Sequence, residues 1–271
     1  MTEARTDAPR PAVRIEELTK DFPGGTRALE GVTFDVPAGA LTSIIGPSGC
    51  GKTTMLKIVA GLLPATAGRV IVEGRPVTGP GPERAFVFQD FALLPWANVL
   101  RNVAFGLELR GVPKGEREAT AREYIAKTNL TGFEHHFPHQ ISGGMRQRVG
   151  LARALAVDAD ILLMDEPFAS VDEQIRRTFQ EDLLRLLAEE RKTVLFVTHS
   201  IEEAVYVSDQ IVILTRGPGR VSNVVRPEIS RDGTSDEIRR SRAYLDSVET
   251  IWGELRDYVE EDMRAPHGAA S

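Results

Sequence analysis

The chain has a single cysteine, no long apolar run and no basic stripe, and each shortage removes a class of function. Cys50 stands alone among 271 residues, so no disulfide can form within the chain and a disulfide-stapled scaffold is excluded. The N-terminal MTEARTDAPRPAVR holds no apolar core of a secretory signal, which with the lone thiol points to a reducing cytoplasm. Apolar stretches are only strand-sized, well short of the roughly 18 to 20 residues that cross a bilayer. Service to a membrane would therefore go through docking on another chain. The formal net charge is −6, from 33 Lys and Arg against 39 Asp and Glu. No track of basic residues runs along the chain, which argues against nucleic acid as a partner.

The most informative stretch is GPSGCGKTT, Gly46 to Thr54 (Gly46, Pro47, Ser48, Gly49, Cys50, Gly51, Lys52, Thr53, Thr54), directly after the apolar run Leu41 to Ile45. It fits G-x-x-x-x-G-K-[ST] and stands between a strand-like and a helix-like segment, which is the context of a P-loop. Glycines let successive amides face a phosphate chain, and the helix that follows adds its positive N-terminal end. Lys52 then reaches the β/γ-phosphates and the Thr53 hydroxyl is a Mg²⁺ ligand. Cys50, inside the loop, reads as a plain small residue.

At this length the chain can bury one large α/β core with an inserted lobe. Residues 1–12, rich in charge, Pro and small side chains, read as a disordered lead-in. Val13–Ile15 and Val32–Val36 alternate as half-exposed strands of an early antiparallel layer. Strands are expected at Arg69–Glu73 and at Ala85–Phe88, the latter ending in Gln89. From about 90 to 160 the pattern turns helical, over Leu100–Leu109, Glu116–Thr128 and Met145–Val157. Buried strands return at Ile161–Met164 and Thr193–Thr198, separated by a helix over Glu173–Glu190. A short helix over Ile201–Val207 leads to strands at Ile211–Thr215 and Arg220–Val225. Asp236–Met263 reads as one amphipathic helix with Ile238, Leu245, Val248, Trp252, Leu255 and Val259 on its apolar face. The division that follows is a catalytic domain over 13–229 and a helical tail over 230–271.

Two further places carry chemistry. The apolar strand that ends in Asp165-Glu166 is what a P-loop ATPase needs opposite its phosphate loop. Asp165 can hold the Mg²⁺ shell while Glu166 polarises the attacking water. Ile141-Ser142-Gly143-Gly144 precedes a helix, so Ser142 reads as an N-cap with two glycines that leave amides open to an anion.

In order and spacing, GPSGCGKTT, Gln89, ISGGMRQR, ILLMDEP, ASVD and Thr198-His199 resemble the ATP-binding subunit of ABC transporters, over Val13 to about Val225. The fold this implies is α/β: a P-loop NTPase core with a mixed, largely parallel sheet, an antiparallel β layer, an inserted helical lobe and a C-terminal helix. The resemblance implies that Gln89 senses Mg²⁺ and water, that His199 is the switch histidine, and that Phe22 stacks on adenine. It also implies that Ser142, Gly143 and Gly144 clamp the γ-phosphate of ATP held by a second copy of the chain, with Asp172 at the seam. Departures from the family pattern are Ile141, Met145 and Val171, none of which removes a catalytic group. Phe88 to Trp96, with the LLPW run, looks like the bacterial importer branch for nitrate, sulfonates and taurine. Integral-membrane permease subunits are then the partners, with an extracytoplasmic solute-binding protein in the same system, and the cytoplasmic face of the membrane is the place of work. A soluble ABC-type ATPase of repair or translation usually carries two cassettes or a long coiled-coil insertion, neither of which is visible. A P-loop kinase would leave Ser142 to Gly144 unexplained.

Overall fold

The computed structural model describes residues 10–169 and 173–264. Asp172 and Val171, and most of the lead-in, lie outside the described residues. Ala12, at the end of that lead-in, already belongs to the sheet: its N–H donates to Val36 at 2.9 Å and its carbonyl accepts from Glu73 at 2.9 Å.

Two sheets form the body. β1 (Val13–Asp21) and β2 (Arg27–Val36) pair antiparallel, and β4 (Ala67–Val72) and β5 (Arg75–Pro76) extend them in the order β2-β1-β4-β5. The second sheet runs β10 (Val221–Val225), β9 (Gln210–Leu214), β3 (Leu41–Ile45), β8 (Thr193–Val197), β7 (Ile161–Asp165), β6 (Arg84–Val87). All its pairings are parallel except that of β10 with β9. The inner strands β3, β7, β8 and β9 are buried on both faces and mostly apolar, and alternate residues serve different cores. Ile161, Leu163, Leu195, Val197, Val212 and Leu214 pack with the antiparallel sheet and helix α1 (Lys52–Val59). Leu162, Met164, Val194, Phe196, Ile211 and Ile213 pack with the helices on the other side.

The helical lobe enters between β6 and β7 as α2 (Val99–Leu109), α3 (Lys114–Lys127) and α4 (Gly143–Ala156), preceded by a 3₁₀ turn at Pro138–Gln140. Asn98 caps α2 by accepting from Arg101 N, and Ser142 caps α4 by accepting from Met145 N at 3.3 Å. α5 (Glu173–Glu190) and α6 (Ile201–Val207) complete the crossovers.

The tail departs from the sequence expectation. It is two helices, α7 (Ser235–Arg240) and α8 (Arg242–Arg264), broken at Ser241, whose ψ of 146° is extended. A Thr234–Glu237 capping box starts α7. The break rotates the apolar face. Ile238 and Leu255 are buried as expected and Val248 is partly so, but Leu245 and Trp252 are 54% and 46% exposed. Tyr244 and Ile251 are buried instead. Val259 lies where side chains are outside the described set. Arg239 ties the tail to the body, bonding Gln180 Oε1 at 2.6 Å and lying 4.0 Å from the centre of the Tyr206 ring. Among the described residues no helix is long and apolar enough to cross a membrane.

Candidate active site

β3, β8 and β7 lie side by side and parallel, so their carboxyl ends emerge together, the place where open α/β sheets bind ligands. The P-loop leaves β3, Thr198-His199 leaves β8, and Asp165-Glu166 ends β7. A cleft of ≈ 360 Å³ forms there, lined by Ala28, Ser48, Gly49, Gly51, Lys52, Thr53, Thr54, Glu166 and His199.

The loop's shape follows from glycine at Gly51, which stands at φ 96° where a Cβ would come within 2.7 Å of Leu29 and 2.8 Å of the Ala28 carbonyl. Lys52 is buried, and its ammonium donates to the Gly46 and Pro47 carbonyls at 2.8 and 3.0 Å. Its stem thus runs along the inside of the loop with the charge at the cradle. Cys50 is fully buried, and burial is the main cause that pushes its thiol pKa up. A buried neutral thiol packs and does not react, so Cys50 is a small core residue of the loop.

Thr53 donates its hydroxyl to Asp165 Oδ1 at 2.9 Å. Burial raises the Asp165 pKa, with the Thr53 bond opposing and the neighbouring Glu166 charge adding to the rise. Two hard oxygen donors side by side, one a carboxylate poorly compensated within the chain, suit Mg²⁺. Glu166 has turned out of the strand at φ 45°, held by its N–H donating to the Val197 carbonyl at 2.9 Å. A left-handed non-glycine residue is costly and recurs at functional positions. The turn brings Glu166 Oε2 to 3.1 Å from Nδ1 of His199. His199 itself sits between β8 and the Ser200 cap of α6, where Thr198 donates to the buried Glu203 at 2.6 Å.

Not every residue named from the sequence enters this cleft. Ser142, Gly143 and Gly144 open α4 in the helical lobe and are not among its lining residues. Gln89 is exposed just past β6. Phe22 is half-buried in the β1–β2 turn, with the Lys20 ammonium 5.2 Å from its ring centre. The sequence reading missed Ala28 and Gly219. Gly219 backs the loop so closely that a Cβ there would lie 2.1 Å from the Cys50 carbonyl, and its N–H donates to the Ala28 carbonyl at 2.9 Å. Its only sequence signal is the Gly-Pro-Gly run at 217–219.

A family model described as "ABC transporter" matches residues 29–169, over half of the chain. The chain belongs to the ABC transporter family, as an ATP-hydrolysing cassette. It is 45% identical, over 96% of its own length and 97% of the relative's, to an uncharacterised ABC transporter ATP-binding protein of Methanocaldococcus jannaschii. It is 49% identical to the taurine import ATP-binding protein TauB of Pseudomonas putida, over 88% of this chain and 93% of the relative. Among solved structures it resembles the dimeric post-hydrolysis state of the ATP-binding cassette MJ0796 bound to ADP and Pi. That likeness has a TM-score of 0.70 and 32% identity, and covers 79% of this chain and 98% of the cassette. This ABC cassette therefore carries chain beyond what the smaller one needs.

Proposed function

We propose that this chain is the ATPase subunit of an importer for a small solute of the nitrate, sulfonate or taurine kind, working as a homodimer beneath a separate permease at the cytoplasmic face of the membrane. The observation that carries the reading is the meeting, at one P-loop cleft, of the Thr53–Asp165 pair and the Glu166–His199 pair. Lys52 and the loop amides bind the phosphates of ATP. Thr53 and Asp165, with Gln89, would hold Mg²⁺, which would supply charge neutralisation to the phosphates. Glu166 takes a proton from the attacking water as that water approaches the γ-phosphorus. His199 orients the Glu166 carboxylate through its ring nitrogen. Phe22 supports the adenine. Ser142, Gly143 and Gly144 stand apart from their own cleft, which supports a role at the ATP of a second copy, where the cap amides of α4 meet the γ-phosphate. The solute-binding protein of such a system does not touch this chain.

The permease reading rests on the surface after Gln89. Leu93 packs against the lobe, but Trp96 is 70% exposed at the mouth of a ≈ 470 Å³ cleft shared with Leu100, Arg101, Glu108, Lys114 and Phe137. An exposed Trp above a part-apolar groove suits a partner's short helix. Trp96→Ala is expected to keep fold and basal ATPase while weakening permease association by about 2 kcal/mol, as for a central aromatic anchor. A variant that melts early yet binds permease normally per folded molecule contradicts that docking role. The function itself is tested by reconstituting the chain with its permease in vesicles. Solute uptake should require ATP and stop with Glu166→Gln; uptake that persists rejects the reading.

A further inference from the structure

Between Gln89 and α2 the backbone takes a turn that ordinary residues do not hold unaided. Phe91 and Ala92 stand consecutively at φ 59° and 43°, in the left-handed region where a Cβ is unfavourable, so neighbouring structure must impose the shape. One guanidinium does so. Arg153 donates to the Phe91 carbonyl at 2.6 Å and to the Ala92 carbonyl at 2.7 Å. It lies on α4 one turn beyond Gly150, where a Cβ would be 3.8 Å from the same Phe91 carbonyl. The helix thus runs directly against the strained pair. Among the described residues no carboxylate pairs with Arg153, and burial alone pushes its pKa down. The rest of the segment is fastened from α2, where the fully buried Asn102 accepts from Leu94 N at 2.8 Å and donates to the Ala97 carbonyl at 2.9 Å.

We propose that Arg153 is a positioning residue that couples the Gln89 segment to α4, so that movement of Gln89 at the nucleotide is transmitted to Ser142–Gly144 at the N-terminus of the same helix. The inference rests on the roles proposed above for Gln89 and for Ser142–Gly144. A planar fork on two adjacent carbonyls fixes direction as well as distance, which a single ammonium cannot do. Without it the strained pair relaxes and absorbs the displacement.

The test uses the full chain in the Glu166→Gln background, with ATP affinity measured on the monomer, ATP-driven dimerisation followed by light scattering, and amide exchange read over residues 90–96. Arg153→Ala and Arg153→Lys should both leave monomer affinity within about twofold while raising the ATP concentration for half-dimerisation about tenfold or more, the loss that accompanies removal of one charged hydrogen-bonded fork. Exchange over 90–96 should accelerate in both. A merely structural arginine would lower the melting temperature and leave dimerisation per folded molecule unchanged, which overturns the proposal. So does full recovery of dimerisation by Arg153→Lys, which also carries the test if the alanine variant does not fold. Failure of the Glu166→Gln parent to dimerise with ATP is a different result: it removes the roles of Ser142–Gly144 themselves, and the coupling with them.

Discussion

Glu166 and His199 reach each other from neighbouring strand ends, and the left-handed turn at Glu166 aims its carboxylate at the cleft rather than along the strand. Glu166→Gln keeps the shape and the hydrogen bond but removes the base. It should bind ATP normally and lose about 10²- to 10⁴-fold in turnover, whereas Lys52→Ala should weaken binding itself. Turnover within about threefold of wild type would show that another group takes the proton. Asp165 gives a pH signature. Its pKa is raised in the fold, chiefly by burial, so its charged form is disfavoured there. The folded state gains from this carboxyl below its unfolded pKa, and that gain is lost as pH rises through the raised folded value. In buffer without Mg²⁺ or ATP, Asp165→Asn should therefore melt higher than wild type at neutral pH, with the gap closing as pH falls toward the carboxylate range. A lower melting temperature for Asp165→Asn at neutral pH in thermal scans contradicts this. The residues at the loop were legible because their spacing is a motif. Their mutual contacts were not: Thr53 and Asp165 are 112 positions apart, and only the sheet order brings them together.

At the scale of elements, strands and helices fell close to where periodicity placed them, because the inner parallel strands are mostly apolar runs and two of the lobe helices, α2 and α4, begin at side-chain caps. The tail shows where periodicity fails. A repeat read across Asp236–Met263 assumes one helix, and a single extended residue at Ser241 resets the phase so that Tyr244 and Ile251 face the body while Leu245 and Trp252 face out. Ile251→Ala should then destabilise by about 2 to 5 kcal/mol, while Leu245→Ala stays within about 0.5 kcal/mol of wild type. Equal losses in denaturant titrations would mean that the outer face is also covered in the free subunit. The same packing predicts that removing residues from Arg231 onward lowers the melting temperature more than it lowers ATPase activity per folded molecule. Arg153 and Asn102 belong to this scale too. Nothing in their local sequence marks them, since their partners are backbone groups of a segment whose strain appears only in three dimensions.

For the whole molecule, the cleft built by one chain brings together the phosphate loop, the Thr53–Asp165 pair and the Glu166–His199 pair, while Ser142–Gly144 lie on a different lobe. In the proposed sandwich one chain would supply two half-sites, each joined to its complement on a second copy. The architecture was legible as a succession of elements that resembles a known family. That Ser142–Gly144 lie away from the phosphate loop was implied by the resemblance and not by any spacing, because spacing along the chain says nothing of which surface a helix end faces. The most direct measurement mixes two inactive chains, Ser142→Arg and Lys52→Ala. If the site is shared, their heterodimer contains one intact P-loop facing one intact Ser142, so the mixture should bind ATP at one interface site and hydrolyse it above the sum of the separate variants, yet below wild type. A mixture no more active than that sum, or one that recovers full wild-type activity, would contradict the shared site.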